Sequence, residues 1–297
     1  MTDAGSVGAR PRNRRLLSIG LVLVPAGALL AHFVQTAGGV RVMDVRFIGS
    51  DGSPMSALLY VPPGATARTP APGILAVHGY INSRETQSGF AIEFARRGYV
   101  VLALDQRGHG YSAAPAFAAG FGGPDGFAYL RSLAMVDKNN IGLEGHSMGG
   151  WAVLAAAAVF PDGYKSMVLE GSSTGAPFAA EGTAAFPRNV AVVFSRYDEF
   201  SRLMWGVRSA PEIVESPKLW ALFGANVVPE VGKIYGSVEN GTARVLYAPR
   251  VTHAMDHLSP KAIGYSIAWF QKTLSGGTPL PANDQIWIWK EIGTLVA

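Results

Sequence analysis

Cysteine is absent from the 297 residues, and this closes several routes at once. No disulfide scaffold, Cys-ligated zinc site, iron–sulfur cluster or thiol nucleophile can be built from the chain. The redox compartment stays open, because a chain without thiols is safe in any of them. Charge is sparse as well: Asp, Glu, Lys and Arg make up 15%, against 48% hydrophobic residues. That balance excludes disorder and supplies apolar material for one large domain or two small ones. No internal repeat or low-complexity block occurs.

A basic groove is also missing. The net charge is +4, but Arg10, Arg12, Arg14 and Arg15 against Asp3 place +3 of it in residues 1–15. No Lys/Arg stripe follows, so nucleic acid is not expected as a partner. The chain carries no metal-ligand cluster, phosphate-cradling loop or dinucleotide fingerprint, and no metal or other cofactor is expected.

What is present starts with a long apolar run. Leu16 to Val34, LLSIGLVLVPAGALLAHFV, has 19 residues and no Asp, Glu, Lys or Arg. A helix of that length spans about 28 Å, close to the hydrocarbon thickness of a bilayer. The spacing predicts a basic cytoplasmic head over 1–15 and a single transmembrane anchor over 16–34. The positive-inside rule then puts the rest of the chain on the extracytoplasmic side. Pro25 is tolerated within such a span. A cleaved signal peptide is the open alternative, with Pro25 as breaker and Ala26-Gly27-Ala28 as the cleavage site, giving a secreted or periplasmic protein. Arg14-Arg15 before Leu16-Leu17 also fits a loose twin-arginine signal. At the other end a linker, Ser275–Asp284, leads into QIWIWKEIGTLVA with Trp287 and Trp289 two apart. Two readings of 275–297 stand: an aromatic tail packed on the domain, or the start of a further membrane segment at Ile292 in a longer chain.

Between the ends, 41–274 reads as one domain. Strand-like runs are 42–47, 57–61, 74–77, 100–104, 141–143, 167–169, 190–194 and 244–247. Helix-like runs lie at 88–97, 126–133, 150–160 and 260–274, so the order from Ile74 is β-α-β-α. Such alternation implies a mainly parallel sheet covered by helices on both faces. Gly49-Ser50-Asp51-Gly52 joins the first two strands as a hairpin turn, so the sheet should begin antiparallel.

Chemistry concentrates in Asn139–Phe160, NNIGLEGHSMGGWAVLAAAAVF. A short apolar strand runs into Gly145-His146-Ser147-Met148-Gly149, and an Ala-rich helix follows. This is the strand–turn–helix setting of a G-x-S-x-G nucleophile elbow. The turn strains Ser147, so its neighbours two positions away must be small. Its hydroxyl then stands at a helix N-terminus, which favours developing negative charge. Gly171-Ser172-Ser173-Thr174-Gly175 matches the same pattern, but Pro177 and small residues follow instead of a helix, so Ser173 reads as loop.

With His78-Gly79-Tyr80 after one strand and Asp105-Gln106-Arg107-Gly108-His109-Gly110-Tyr111-Ser112 after the next, the chain resembles the α/β-hydrolase superfamily over most of 42–274. It is most similar in type to membrane-anchored bacterial serine esterase/lipase-like members. The resemblance implies an α/β-hydrolase fold: an eight-stranded, mostly parallel sheet with helices on both faces and a small cap after strand 7, about 199–243. It also implies a Ser/acid/His triad in that chain order. Ser147 is the nucleophile and Asp198, after the seventh strand, matches the acid; Glu170 and Glu199 remain alternatives. Of six histidines, His32 lies in the apolar run, and His78, His109 and His146 belong to the motifs. His253, six residues after Tyr247, matches the base, with His257 as the alternative. The oxyanion hole would use the backbone N–H groups of Tyr80 and Met148.

The implied reaction is cleavage of a small-molecule carboxylic ester through an acyl-enzyme. A prolyl-oligopeptidase-like peptidase or amidase is the second enzymatic reading, although no large extra domain fits. A membrane-anchored binding module that has kept the fold is the non-catalytic one. If 199–243 is a lid, Trp205, Trp220 and Phe223 would wall an acyl site; otherwise they fill an ordinary helix pair.

Overall fold

The structure is a computed structural model that describes residues 11–177, 179–224 and 228–297. Residues 1–10, most of the expected basic head, lie outside the described residues. Helix α1 runs Pro11–Gln35 with Pro25 inside it. From Arg14 onward its side chains are largely exposed, Leu16, Leu21 and Phe33 by more than 60% each; Gly27 is buried.

Strands β1 (Arg41–Ile48) and β2 (Pro54–Val61) form the expected antiparallel hairpin, with Ile48 opposite Pro54. Gly52 sits in its turn at φ +81°, a conformation that glycine takes without steric cost. Strands and helices then alternate: β3 (Ala71–Val77), α2 (Ser88–Arg96), β4 (Val100–Leu104), α3 (Gly123–Ser132), β5 (Val136–His146), α4 (Met148–Val159), β6 (Ser166–Glu170) and β7 (Val190–Val193). Helices α5 (Ser201–Trp205) and α6 (Pro217–Phe223) and strand β8 (Ile234–Tyr235) precede β9 (Arg244–Tyr247). Helices α7 (Pro260–Thr273) and α8 (Trp287–Val296) follow.

The sheet order is β1-β2-β4-β3-β5-β6-β7-β9-β8, parallel from β4 to β9. Among the described residues nine strands are present where eight were expected. The extra one, β8, is a two-residue antiparallel edge on β9, too short to leave a periodic trace in sequence. Period-two alternation sends strand side chains into two cores. In β3, Leu75 and Val77 join Phe127, Leu130 and Leu154 of α3 and α4, whereas Ile74 and Ala76 join Phe90, Phe94 and Phe270 of α2 and α7. Strands buried on both faces explain their unbroken apolar runs.

Much of 199–243 extends the sheet edge. Trp205, Leu219, Leu222 and Phe223 are buried in the first core. The buried Arg244 guanidinium fastens α6 by donating to the Leu222 carbonyl at 3.0 Å, and reaches the carbonyls of Thr183 and Ala184.

Helix α8 docks by its N-terminus. Backbone N–H groups of Ile286 and Trp287 donate to Glu93 Oε1 at 2.6 and 3.0 Å, satisfying donors that a helix start leaves unpaired. Glu93 is itself buried and paired with Arg96 and Arg97, each at 2.8 Å. Trp287 fills the second core, while Trp289 is half exposed. Beyond Trp287 the helix turns to α1, where Gly27 and Gly293 meet backbone to backbone.

Candidate active site

Ser147 links the end of β5 to the start of α4 at φ +54°, ψ −121°. A side chain in that region is strained by one to a few kcal/mol, on the order the surrounding packing must offset. The packing leaves no alternative: a Cβ on Gly145 would collide with the Gly149 carbonyl, and one on Gly149 with the Val77 carbonyl. Ser147 N–H donates to Glu170 O at 2.8 Å, and the Ser172 hydroxyl donates to Ser147 O at 2.7 Å. The second G-x-S-x-G match thus contributes Ser172 as a brace beneath the elbow. Ser173 is buried with its hydroxyl on Met204 Sδ at 3.8 Å.

The loop after β3 lies over the elbow. Gly79 comes so near that a Cβ there would sit 3.0 Å from Ser147 Cβ. His78 is buried; its Nε2 accepts the Gln106 N–H at 3.1 Å, which makes Nδ1 the donor to Gly79 O at 2.7 Å. Burial holds its pKa down at about 4, so the ring is neutral. Asp105, also buried, accepts from Arg84 N–H and from the Ser56 hydroxyl, tying this loop to β2 and β4.

His253 Nδ1 and Asp198 Oδ2 lie 2.8 Å apart, both residues buried. Asp198 Oδ1 also accepts the Phe200 N–H at 2.8 Å. Glu199 points differently and accepts the His253 backbone N–H at 3.0 Å. Glu170 is paired with the Ser266 hydroxyl, and burial raises its pKa well above the carboxylate range. His257 is buried with its ring 4.0 Å from that of His146, and its pKa is pressed down to about 4, mainly by burial. Of the alternatives, then, Asp198 and His253 are the pair brought together. Ser147 and His253 share the wall of one cleft of about 790 Å³, with no hydrogen bond between them among the described residues. Such a contact often tightens only when substrate binds.

Met148, expected at the site, lines the cleft, but other cleft residues escaped sequence reading: Trp151, Phe200, Leu203 and Met204 complete an apolar wall with it, and Asn82, Glu85, Thr86, Lys290 and Glu291 make a polar one. Trp205, Trp220 and Phe223 are not among the lining residues: Trp205 and Phe223 are buried in the core, and Trp220 Nε1 donates to Val214 O. The apolar contribution of 199–243 comes instead from its first turn, because Trp205 and Phe223 are turned into the first core. Lys290 and Glu291 enter through the docking of α8, some forty residues after His253 in sequence, which no local pattern reveals.

Behind the imidazole lies a buried polar shelf. Asp256 accepts from the Ser195 hydroxyl, and its other oxygen is 3.8 Å from His146 Nε2. Burial, reinforced by the charge of Asp198, raises the Asp256 pKa to about 7. Ligand atoms of His146, His253 and Asp256 fall within 4.8 Å of one another, close enough to hold a metal ion. Their donors are committed elsewhere, however: His253 Nδ1 to Asp198, and His146 Nε2 to the His253 carbonyl at 3.1 Å.

The sequence profile described as the alpha/beta hydrolase fold matches residues 72–200. A monoacylglycerol lipase of Mycolicibacterium smegmatis is 33% identical over 109 residues, covering 35% of this chain and 38% of the relative. The match thus spans under two-fifths of that relative's length. Esterase Pf2001 of Pyrococcus furiosus superposes over 80% of this chain and 92% of its own, with TM-score 0.56 and 16% identity. DcsB, solved with a substrate analogue, does so over 80% and 100%, with TM-score 0.52 and 16% identity. Elbow, sheet order, matched profile and whole-domain likeness agree: the chain has the α/β-hydrolase fold.

Proposed function

We propose that the protein is a serine hydrolase that cleaves carboxylic esters through an acyl-enzyme, with Ser147, His253 and Asp198 as the triad. The observation that carries this reading is the 2.8 Å His253–Asp198 pair beside a serine held on a strained elbow in one cleft. Ser147 Oγ attacks the ester carbonyl carbon while His253 Nε2 takes its proton. Asp198 fixes the imidazole tautomer and stabilises the imidazolium. The oxyanion is received by the backbone N–H groups of Tyr80 and Met148; Met148 opens α4, where N–H groups have no intrahelical acceptor. His253 returns the proton to the departing alcohol, and a water molecule, deprotonated by the same imidazole, releases the acid. The apolar wall suits an acyl chain, and the lipase from M. smegmatis supports an ester of that kind.

We also read α1 as a membrane anchor with the catalytic domain on the extracytoplasmic side. Its apolar side chains lack a protein partner along most of a helix about 37 Å long.

Fluorophosphonate labelling tests the hydrolase reading. An adduct on Ser147, absent in Ser147→Ala, with turnover of p-nitrophenyl esters lost in parallel, is the expected result. A folded protein that takes no label overturns it.

A further inference from the structure

Helix α8 has three faces, each with a different neighbour. At 100° per residue, Trp287 and Glu291 share the side toward α2 and the cleft; Ser88 Oγ donates to Glu291 Oε1 at 3.1 Å. Gly293 and Ala297 share the side toward α1. Ile288, Trp289, Ile292, Leu295 and Val296 fall within about 120° on the remaining side. All five are exposed, Leu295 by 88%. A continuous apolar stripe with no cover therefore runs beside the cleft wall.

The contact with α1 says what covers it. A Cβ on Gly27 would come within 2.5 Å of Gly293 O and 2.6 Å of Ala297 N. A Cβ on Gly293 would come within 2.7 Å of both Gly27 O and Ala31 N. Gly27-x-x-x-Ala31 thus faces Gly293-x-x-x-Ala297, the small-residue spacing that lets helix backbones touch inside a membrane. Because Gly293 lies by Ala31 and Ala297 by Gly27, the helices are antiparallel. The C-terminal end of α8 therefore points back along α1, toward the stretch that carries Leu16 to Val24. The stripe continues the exposed apolar surface of α1, and Trp289 stands at its start, where an interfacial indole belongs.

We propose that α1 and α8 enter the lipid together as a two-helix wedge, holding the cleft mouth at the bilayer surface so that ester substrates pass into it directly from the membrane. Lys290 and Glu291, on the same helix, then form the wall nearest the headgroups. Ile81, exposed by 80%, and Leu258, by 44%, line the same mouth and extend the apolar rim. The proposal rests on the reading of Ser147 as nucleophile and of α1 as anchor.

The full chain, reconstituted in phosphatidylcholine vesicles, provides the test, and its lack of cysteine makes single-site labelling direct. A nitrobenzoxadiazole dye on Leu295→Cys is expected to be quenched by acyl-chain nitroxide lipids and shielded from aqueous iodide, as is the dye on Leu23→Cys in α1. Iodide quenching at 295 with lipid quenching at 23 overturns the wedge while leaving the anchor intact. Shielding of 295 from both quenchers, with a doubled mass, assigns the stripe to a second copy and equally overturns it. In the functional arm, Ile292→Glu/Leu295→Glu is expected to keep turnover of p-nitrophenyl acetate in detergent within about twofold. Its turnover of a long-chain acylglycerol in vesicles is expected to fall by about tenfold or more. Equal loss or equal retention on both substrates overturns the coupling. Absence of fluorophosphonate labelling at Ser147 sinks the hydrolase reading, whatever the depth of 295.

Discussion

His109 Nε2 accepts the backbone N–H of Ile81 at 3.1 Å. The D-Q-R-G-H-G-Y-S segment after β4 thereby holds the loop after β3, in which Ile81 sits at φ +56° and Tyr80 lines the cleft. The His109 ring also packs edge-on against both His78 and Tyr80. Two motifs far apart in sequence thus brace one loop at the cleft.

Removing that bond should cost about 1 kcal/mol of positioning, a loss of about fivefold in kcat for a soluble ester in His109→Ala. KM should change little, because the Tyr80 N–H proposed for the oxyanion hole would act in the transition state. Steady-state kinetics with p-nitrophenyl butyrate reads the split. A rise in KM at constant kcat would show that His109 acts on ground-state binding instead.

The three acids near the site should separate cleanly. Asp198→Asn, which leaves the imidazole with the wrong tautomer partner, should lower kcat by about three orders of magnitude or more. Glu199→Gln keeps an acceptor for the His253 N–H and should cost less than about tenfold. Glu170→Gln replaces a carboxyl whose neutral form burial favours, so activity should stay close to wild type. Loss of activity in Glu170→Gln matching that in Asp198→Asn would reassign the acid.

Asp256 predicts a pH signature in stability. Its pKa rises from the ordinary 3.8 to about 7 in the fold, mainly through burial. Between those values the folded protein keeps a proton that the unfolded chain has released. This residue's contribution to stability therefore falls as pH rises through that window. Asp256→Asn abolishes the fall. The stability difference, variant minus wild type, should grow from pH 4 to pH 7 and level off above, in urea titrations of detergent-solubilised protein. A difference that stays flat across the window would mean that Asp256 is already ionised in the fold.

Acyl-chain selectivity should follow the first turn after Asp198, not the buried aromatics. Leu203→Trp should shift preference toward shorter esters, by about tenfold in the ratio of butyrate to decanoate kcat/KM. Trp205→Ala should leave that ratio in place and lower stability by about 3–5 kcal/mol, since the indole fills the core. Selectivity that moves with Trp205 and not with Leu203 would restore the aromatic acyl wall.

The order of strands and helices was legible because buried parallel strands are unbroken apolar runs and the covering helices carry a 3.6-residue period. Ser147 was legible because glycine is the only residue that fits beside Val77 O and Gly149 O, so the steric demand is written into the spacing. Asp198 and His253 could be nominated because each matches the family position after a strand end, with Glu170, Glu199 and His257 as alternatives; their 2.8 Å pairing needs the closed chain. Nothing local marks Phe200, Asp256, Lys290 or Glu291 as cleft or shelf residues. Their placement depends on the docking of α8 through Glu93 and on the packing of α5 and α6 against the sheet edge, both long-range events. The three aromatics of 199–243 misled for a related reason: a tryptophan looks the same in sequence whether it faces a core or a cleft.

The meeting of Gly27 with Gly293 joins positions about 266 residues apart. Closing a loop of that size has an entropic cost that the intervening domain must first reduce by folding, so the pairing belongs among the last contacts to form. During synthesis α1 therefore exists for a long interval with its Gly27–Ala31 groove empty. With α1 in the bilayer, as proposed, lipid chains or the matching groove of another nascent chain could fill it through that interval.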